Sequence, residues 1–352
     1  MAKDDAVPER DRLDGAPHPR DQYTFLGHPS GERAFMEGLK SGRLHHAWLI
    51  GGQQGIGKAT LAYRVARYLL ARGPVPPAGD SLYISPDEPV SKQVSALSHP
   101  NLVVLRRAVS AEKKSVSATI PVDAVRKAMS LFETTSANGG YRICIVDSAE
   151  DLTISSANAL LKLVEEPPRD SLFLIVSHIP QRVLPTIRSR CRSLNLSPLA
   201  ENDIRQIISG FDTGTPPAEE AMRTALLHGE GSVRKTFEML DPKQAAVIHR
   251  VESILQELPH VNTGRVLSLA ESVAQRDAAG EFALVMECVE RWVSQKIHEK
   301  AGLGASTLAQ LVEVCEKLRK AEREVDVFNL DRRPLVLSLF DDLAQVVRRV
   351  PG

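Results

Sequence analysis

Apolar positions along this chain fall into short unbroken runs rather than alternating with polar ones. The runs are Ala47-Trp48-Leu49-Ile50-Gly51, Leu102-Val103-Val104-Leu105, Tyr141-Arg142-Ile143-Cys144-Ile145-Val146-Asp147, Leu172-Phe173-Leu174-Ile175-Val176, and a shorter stretch over 192–196. Strands that are apolar at every position are buried on both faces, which is the signature of a parallel sheet sandwiched between helices. Helical stretches are predicted between them, over 30–39, 61–70, 121–133 and 155–166. Ser30 reads as the N-cap of the first. Pro121 sits in the first turn of the third, where a missing N–H costs little, and Pro167-Pro168 stops the fourth. Residues 73–89, rich in Pro, Gly, Ser and Asp, read as a surface excursion. Residues 109–119 read as a polar loop, and Asn138-Gly139-Gly140 as a turn.

Beyond Pro198 the pattern becomes helical throughout. Short helices are predicted over 201–210, 217–228 and 232–240, and roughly five more stretches from Pro242 onward. One of these, 282–298, carries an apolar stripe at Leu284, Val285, Val289 and Ile297, and another spans 334–347. The expected organisation is a disordered, charged arm over 1–20, an α/β domain over 21–197, a helical lid over 198–241 and an all-helical domain over 242–352.

Charge removes one class of function from the front rank. Forty-four basic and 44 acidic residues cancel, so the basic footprint of an autonomous DNA binder is missing. Cys144, Cys191, Cys288 and Cys315 lie far apart with no C-x-x-C pair, which argues against a metal site or a disulfide framework; Cys144 reads as strand packing. Neither a secretory h-region nor a run of about 18 apolar residues is present, so a soluble cytoplasmic protein is expected.

The candidate chemistry begins at Gly52-Gln53-Gln54-Gly55-Ile56-Gly57-Lys58-Ala59-Thr60, between the first strand and its helix. The spacing fits G-x-x-x-x-G-K-[ST] at every place but the last. Gly52, Gly55 and Gly57 would let backbone N–H groups turn inward on phosphates, and Lys58 would reach the outer ones as a point charge. Ala59 stands where a Mg²⁺-holding hydroxyl belongs, with Thr60 one place late. Asp147, ending an apolar strand, is the expected second element of such a site. Ser148 follows it where a water-positioning Glu is usual, and serine cannot serve as a carboxylate base; Glu150 lies two places further on. Two substitutions in one pocket favour a chain that does not turn over ATP. The alternatives are an active ATPase in which Thr60 and Glu150 stand in, and nucleotide binding without hydrolysis.

Several longer segments carry a family resemblance. They are Leu44-His45-His46-Ala47-Trp48-Leu49 leading into the glycine loop, Ser98-His99-Pro100-Asn101-Leu102, Val146-Asp147-Ser148-Ala149, the run from Ala157 to Pro168 ending Glu165-Glu166-Pro167-Pro168, Leu184-Pro185-Thr186-Ile187-Arg188-Ser189-Arg190-Cys191, and Asn329-Leu330-Asp331-Arg332-Arg333-Pro334-Leu335. Over about residues 20 to 350 the chain resembles the delta-prime family of bacterial DNA polymerase III clamp-loader subunits, of the AAA+ class. The resemblance implies an AAA+ P-loop domain, a helical lid and an all-α oligomerisation collar. It implies that Arg190 is a finger presented to the ATP site of a neighbouring subunit, a role suited to a permanently charged guanidinium; Arg188 and Arg192 read as surface residues. Arg234, in Gly231-Ser232-Val233-Arg234, either touches nucleotide or lies on a helix face, and His178 is either a polar sensor or a structural histidine. The implied partners are the clamp-loader ATPase (tau/gamma) subunits and the delta subunit, with the sliding clamp and primer-template DNA reached through the complex, and no membrane. No cofactor is required; weakly bound ATP is the one ligand expected. Many relatives carry a four-cysteine zinc module after the loop helix, but residues 71–100 contain no cysteine, so no zinc is expected.

Overall fold

The computed structural model describes residues 13, 15–107, 109–110, 115–117, 119–133, 140–212, 215–275, 278–299 and 331–349. The chain divides into two compact units, Met1–Glu238 and Met239–Gly352.

In the first unit, β1 (Ala47–Gly51), β2 (Leu102–Leu105), β5 (Arg142–Asp147), β6 (Ser171–Ser177) and β7 (Arg192–Asn195) form a parallel sheet in the order β2-β5-β6-β1-β7. The pleat divides each apolar run between two cores. Trp48, Ile50, Ile143, Ile145, Leu172, Leu174 and Val176 face α1 (Pro29–Lys40) and α2 (Lys58–Arg72), meeting Phe35, Leu61, Val65 and Leu69. Ala47, Leu49, Cys144, Val146, Phe173 and Ile175 face α4 (Val122–Glu133), α5 (Ile154–Glu165) and the one-turn α6 (Pro185–Arg188), meeting Val125, Leu160, Val164 and Ile187. Helices α7 (Glu201–Ser209), α8 (Glu219–Gly229) and α9 (Val233–Met239) make the lid.

Four local expectations are corrected. The first helix is capped at His28, with Pro29 at its start, so Ser30 lies inside the first turn. The 73–89 excursion is not wholly at the surface: Leu82 and Ile84 are buried in the α1/α2 core, and the short α3 (Pro89–Ser95) follows. Within 109–119, β3 (Val109–Ser110) and β4 (Ser115–Val116) pair antiparallel as a hairpin. Residues 15–20 of the expected arm lie against the domain: His18 is buried, and Arg67 donates to the Arg20 carbonyl while stacking 4.3 Å over Tyr23. Residues 1–12 and 14 are outside the described residues, as is the Asn138-Gly139 turn.

The second unit is helical throughout its described part, with α10 (Pro242–Gln256), α11 (Thr263–Val273), α12 (Ala279–Glu299) and α13 (Arg332–Arg349). Val251, Leu255, Leu269, Val285, Val289, Phe340 and Leu343 are among its buried residues from these four helices. The expected stripe of α12 is buried at Leu284, Val285 and Val289 and half-buried at Ile297. Another expected helical stretch, together with Cys315, Asn329 and Leu330, falls within 300–330, outside the described residues. Among the described residues no helix is long and apolar enough to cross a membrane.

Candidate functional site

Strand β1 ends at Gly51 and α2 begins at Lys58, so Gly52 to Gly57 must reverse the chain within six residues. Two of the glycines are needed for close approach as well as for positive φ. At Gly52 (φ +134°) a Cβ would lie 2.5 Å from the Leu196 carbonyl oxygen. At Gly55 (φ +77°) it would lie 2.4 Å from both Ser232 Oγ and Arg234 Cβ. The loop is held from outside as well. The Ser232 hydroxyl donates to the Gln54 carbonyl at 2.8 Å, and the Arg234 N–H reaches the Gly55 carbonyl at 3.4 Å. His28 Nε2 lies 2.7 Å from the Ile56 carbonyl. A carbonyl can only accept, so Nε2 carries the proton. Burial lowers the His28 pKa, against the raising effect of that bond. His28 precedes the loop by a whole helix and strand, and nothing in the sequence marks it as a loop partner.

Lys58 is buried and turned back on its own loop, donating from Nζ to the carbonyls of Gly52 at 2.6 Å and of Gln53. Burial pushes its pKa down to about 8, with Glu150 and Asp147 pulling the other way. Asp147 ends β5 and, with Ala59 and Thr60, lines the same cavity as Lys58. Glu150 is otherwise engaged: its Oε1 accepts from the Ser177 hydroxyl and from the Ile179 N–H at 2.7 Å. Burial raises the Glu150 carboxyl pKa, but these bonds outweigh it and hold the group below its usual range. Ser148 Oγ lies 3.1 Å from His178 Nε2.

The cavity, about 150 Å³, has two characters. One wall is the phosphate loop with Lys58, Asp147 and His178; the other is apolar, from Leu13, Pro17, Phe25 and Leu26 before α1 and Leu199, Ile207, Phe211 and Phe237 of the lid. Arg234 lines it too, with its Nε paired to Glu238 at 2.9 Å. A glycine loop at a helix N-terminus beside an apolar slot fits a nucleoside phosphate. Ala59 offers no oxygen to a metal at the place where such loops supply one.

Arg190 is elsewhere. It precedes β7 by two residues, and the parallel register sets Arg192 opposite Trp48 and Asn195 opposite Gly51. At about 3.3 Å of rise per residue, Arg190 therefore lies more than roughly 10 Å back along the strands from the phosphate loop, towards the N-terminal end of the neighbouring strands β1 and β7. Its Nη2 meets Glu165 Oε1 at 2.8 Å and its Nη1 donates to the Thr186 carbonyl at 3.0 Å. Arg188 is exposed, and the Arg192 guanidinium lies 4.7 Å over the Trp48 ring. The structure thus gathers Gly52, Gly55, Gly57, Lys58, Thr60, Asp147 and Arg234 at one end of the sheet and sets Arg190 apart.

The sheet order, with β6 between the loop strand and the Asp147 strand, and the lid bonded to the loop define a P-loop nucleotide-binding module of the AAA+ class. The family model described as "DNA polymerase III, delta subunit" matches residues 27–200, just under half of the chain. DNA polymerase III subunit delta' of Pseudomonas aeruginosa is 36% identical over 146 residues, 42% of this chain and 41% of that protein. Subunit delta' of Escherichia coli is 32% identical over 193 residues, 55% of this chain and 54% of that protein. Subunit tau of Escherichia coli is 27% identical over 266 residues, 74% of this chain and 39% of that protein. The chain spans about half, or less, of the length of these curated relatives.

Proposed function

We propose that the chain is a clamp-loader subunit of DNA polymerase III that does not hydrolyse ATP itself and presents Arg190 to the ATP site of an adjoining tau/gamma-type ATPase subunit. The helical 242–352 region is the oligomerisation collar in this reading. The assembly, completed by a delta subunit, opens the sliding clamp and places it on primer-template DNA. The observation that carries the reading is the separation between Arg190 and its own phosphate loop, which lie towards opposite ends of the neighbouring strands β7 and β1. A cation so placed is out of reach of the chain's own nucleotide and sits on an exposed turn where another molecule's phosphates can meet it. Trans-acting arginines of this kind accelerate phosphoryl transfer on the order of 10³–10⁵-fold.

Silence of the chain's own pocket is supported by Ala59, by Ser148 and by the two bonds that occupy Glu150. Those bonds weigh against the rival in which Glu150 is the base and Thr60 the metal ligand. The apolar slot and glycine loop favour a second reading alongside the first, in which ATP binds weakly and is not cleaved.

ATP turnover by the purified chain, alone and assembled with its partner subunits, tests the proposal. Background turnover alone, with Arg190→Ala slowing DNA-stimulated turnover of the intact assembly, is expected. Turnover by the isolated chain that disappears in Lys58→Ala, or no association with an ATPase subunit, overturns it.

A further inference from the structure

We propose that Glu165 is the positioning residue for Arg190, aiming the guanidinium that the neighbouring ATP site receives; this rests on the reading of Arg190 as a trans-acting finger. Glu165 is the last residue of α5. A carboxylate there faces the partial negative charge of the helix C-terminus, so the helix itself gains nothing from it. Its 2.8 Å contact with Arg190 Nη2 is the compensating interaction. The partners of the guanidinium come from different places: Glu165 of α5 meets Nη2, while the Thr186 carbonyl of α6 and, at 3.4 Å, the Ser189 hydroxyl meet Nη1. Thr186 and Ser189 hold Nη1 and Glu165 holds Nη2, so both prongs of the fork are held together only with Glu165 in place. The α5 end is itself anchored: Leu163 and Val164 are buried, and His46 Nε2 lies 3.0 Å from the Val164 carbonyl, just before β1.

The opposite role, a lock that withholds Arg190, is weighed by exposure. The side chains of Arg190 and Glu165 are 41% and 38% exposed, so water and salt screen the pair. Such a contact is too weak to compete with a polyphosphate for a guanidinium, yet it suffices to choose among rotamers of a long side chain. Releasing two torsions with three staggered wells each dilutes the aimed conformer by up to about ninefold.

The test uses the assembled, DNA-stimulated ATPase complex built with the full-length chain. Glu165→Ala is expected to lower kcat roughly 3- to 9-fold with KM for ATP unchanged, by that rotamer count. Glu165→Gln, which keeps an oxygen acceptor for Nη2, recovers most of the rate. In an Arg190→Ala background Glu165→Ala adds nothing, because there is no fork left to aim. Glu165→Ser, also too short to reach Nη2, repeats the measurement should the alanine variant fail to assemble. Turnover at or above the parent level in Glu165→Ala, with Arg190→Ala still slow, overturns the positioning role alone. So does an equal loss from Glu165→Ala when Arg190 is already absent. If Arg190→Ala itself leaves turnover unchanged, the finger reading fails and takes this inference with it.

Discussion

The Ser232 hydroxyl donates to the carbonyl oxygen of Gln54 at 2.8 Å, bonding the lid to the phosphate loop through groups 178 residues apart. Ser232 is fully buried, and its Oγ also accepts from the Lys235 N–H at 3.2 Å, so one hydroxyl both starts α9 and seats it on the loop. A loop so bonded is shaped by the lid as much as by its own glycines.

Ser232→Ala deletes a buried donor and leaves the Gln54 carbonyl without it. A loss of about 1–2 kcal/mol in unfolding free energy is expected. Amides of the glycine loop should exchange faster, while those of the 239–352 unit keep their protection. Gly55→Ala should cost more, because its Cβ would meet Ser232 Oγ and Arg234 Cβ at 2.4 Å from a positive-φ backbone. Urea denaturation with hydrogen exchange checks both. Unaltered loop protection in Ser232→Ala would mean that the lid does not hold the loop.

Glu32 supports a second prediction, on stability. Its Oε1 accepts from Arg64 Nε at 2.8 Å, from the Ser81 hydroxyl at 3.3 Å and from the Leu82 N–H. Both charged side chains are nearly dry, at 10% and 11% exposed. Removing one partner of a buried pair strands the other, so Glu32→Ala should cost roughly 3–5 kcal/mol. Glu32→Gln, which still offers an oxygen, should cost less. The 73–88 segment, which this carboxylate ties down beside the buried Leu82 and Ile84, should become the first site of proteolytic nicking. A loss below about 1 kcal/mol in Glu32→Ala would reduce the pair to an ordinary surface contact.

That network also marks where the sequence stops being legible. Strands β1, β2, β5 and β6 were readable because burial on both faces leaves an apolar residue at nearly every position. The loop glycines, Lys58 and Asp147 were readable because phosphate chemistry constrains local spacing. Leu82 and Ile84 sit in a segment of turn residues, and only a carboxylate 50 residues away reveals that this segment is pinned inward. Likewise, residues 15–20 look like a charged tail until Arg67 is seen to reach the Arg20 carbonyl. His28 and Ser232 act on loop carbonyls, and a backbone acceptor leaves no trace in the residue type that carries it. Composition reports local propensity; contacts across long separations are set by packing.

Lys58 gives a pH dependence with a definite sign. Its pKa is about 8 in the folded chain against an ordinary 10.5. Between those values the unfolded chain keeps a proton that the folded chain has released, so this group's contribution to stability rises with pH across that window. Below about pH 8 the buried ammonium costs about 3 kcal/mol relative to an unshifted lysine. The unfolding free energy of Lys58→Met relative to the parent should therefore favour the variant most near pH 7, with the gap closing towards pH 10. Unfolding of both proteins at the two pH values measures it, and a gap that does not change with pH contradicts a burial-depressed lysine. Affinity for a labelled ATP analogue should fall over the same range as the cation is lost.

Ala59 offers the sharpest test of the silence proposed for the pocket. It lines the cavity beside Lys58, and a hydroxyl at this position would place a metal-binding oxygen at the helix start. Ala59→Ser should raise Mg²⁺-dependent affinity for an ATP analogue by roughly 10-fold, the gain of about one charge-assisted contact. Turnover should nevertheless stay at background, because Ser148 remains without a carboxylate and Glu150 remains bonded to Ser177 and Ile179. Adding Ser148→Glu to Ala59→Ser supplies both missing groups, and measurable hydrolysis is expected only in that double variant. Affinity that does not respond to Ala59→Ser would trace the proposed silence to Lys58, whose ammonium is seated on the Gly52 and Gln53 carbonyls. Hydrolysis in Ala59→Ser alone would show that Glu150 leaves its two partners to act as the base, and that a single hydroxyl separates this pocket from an active one.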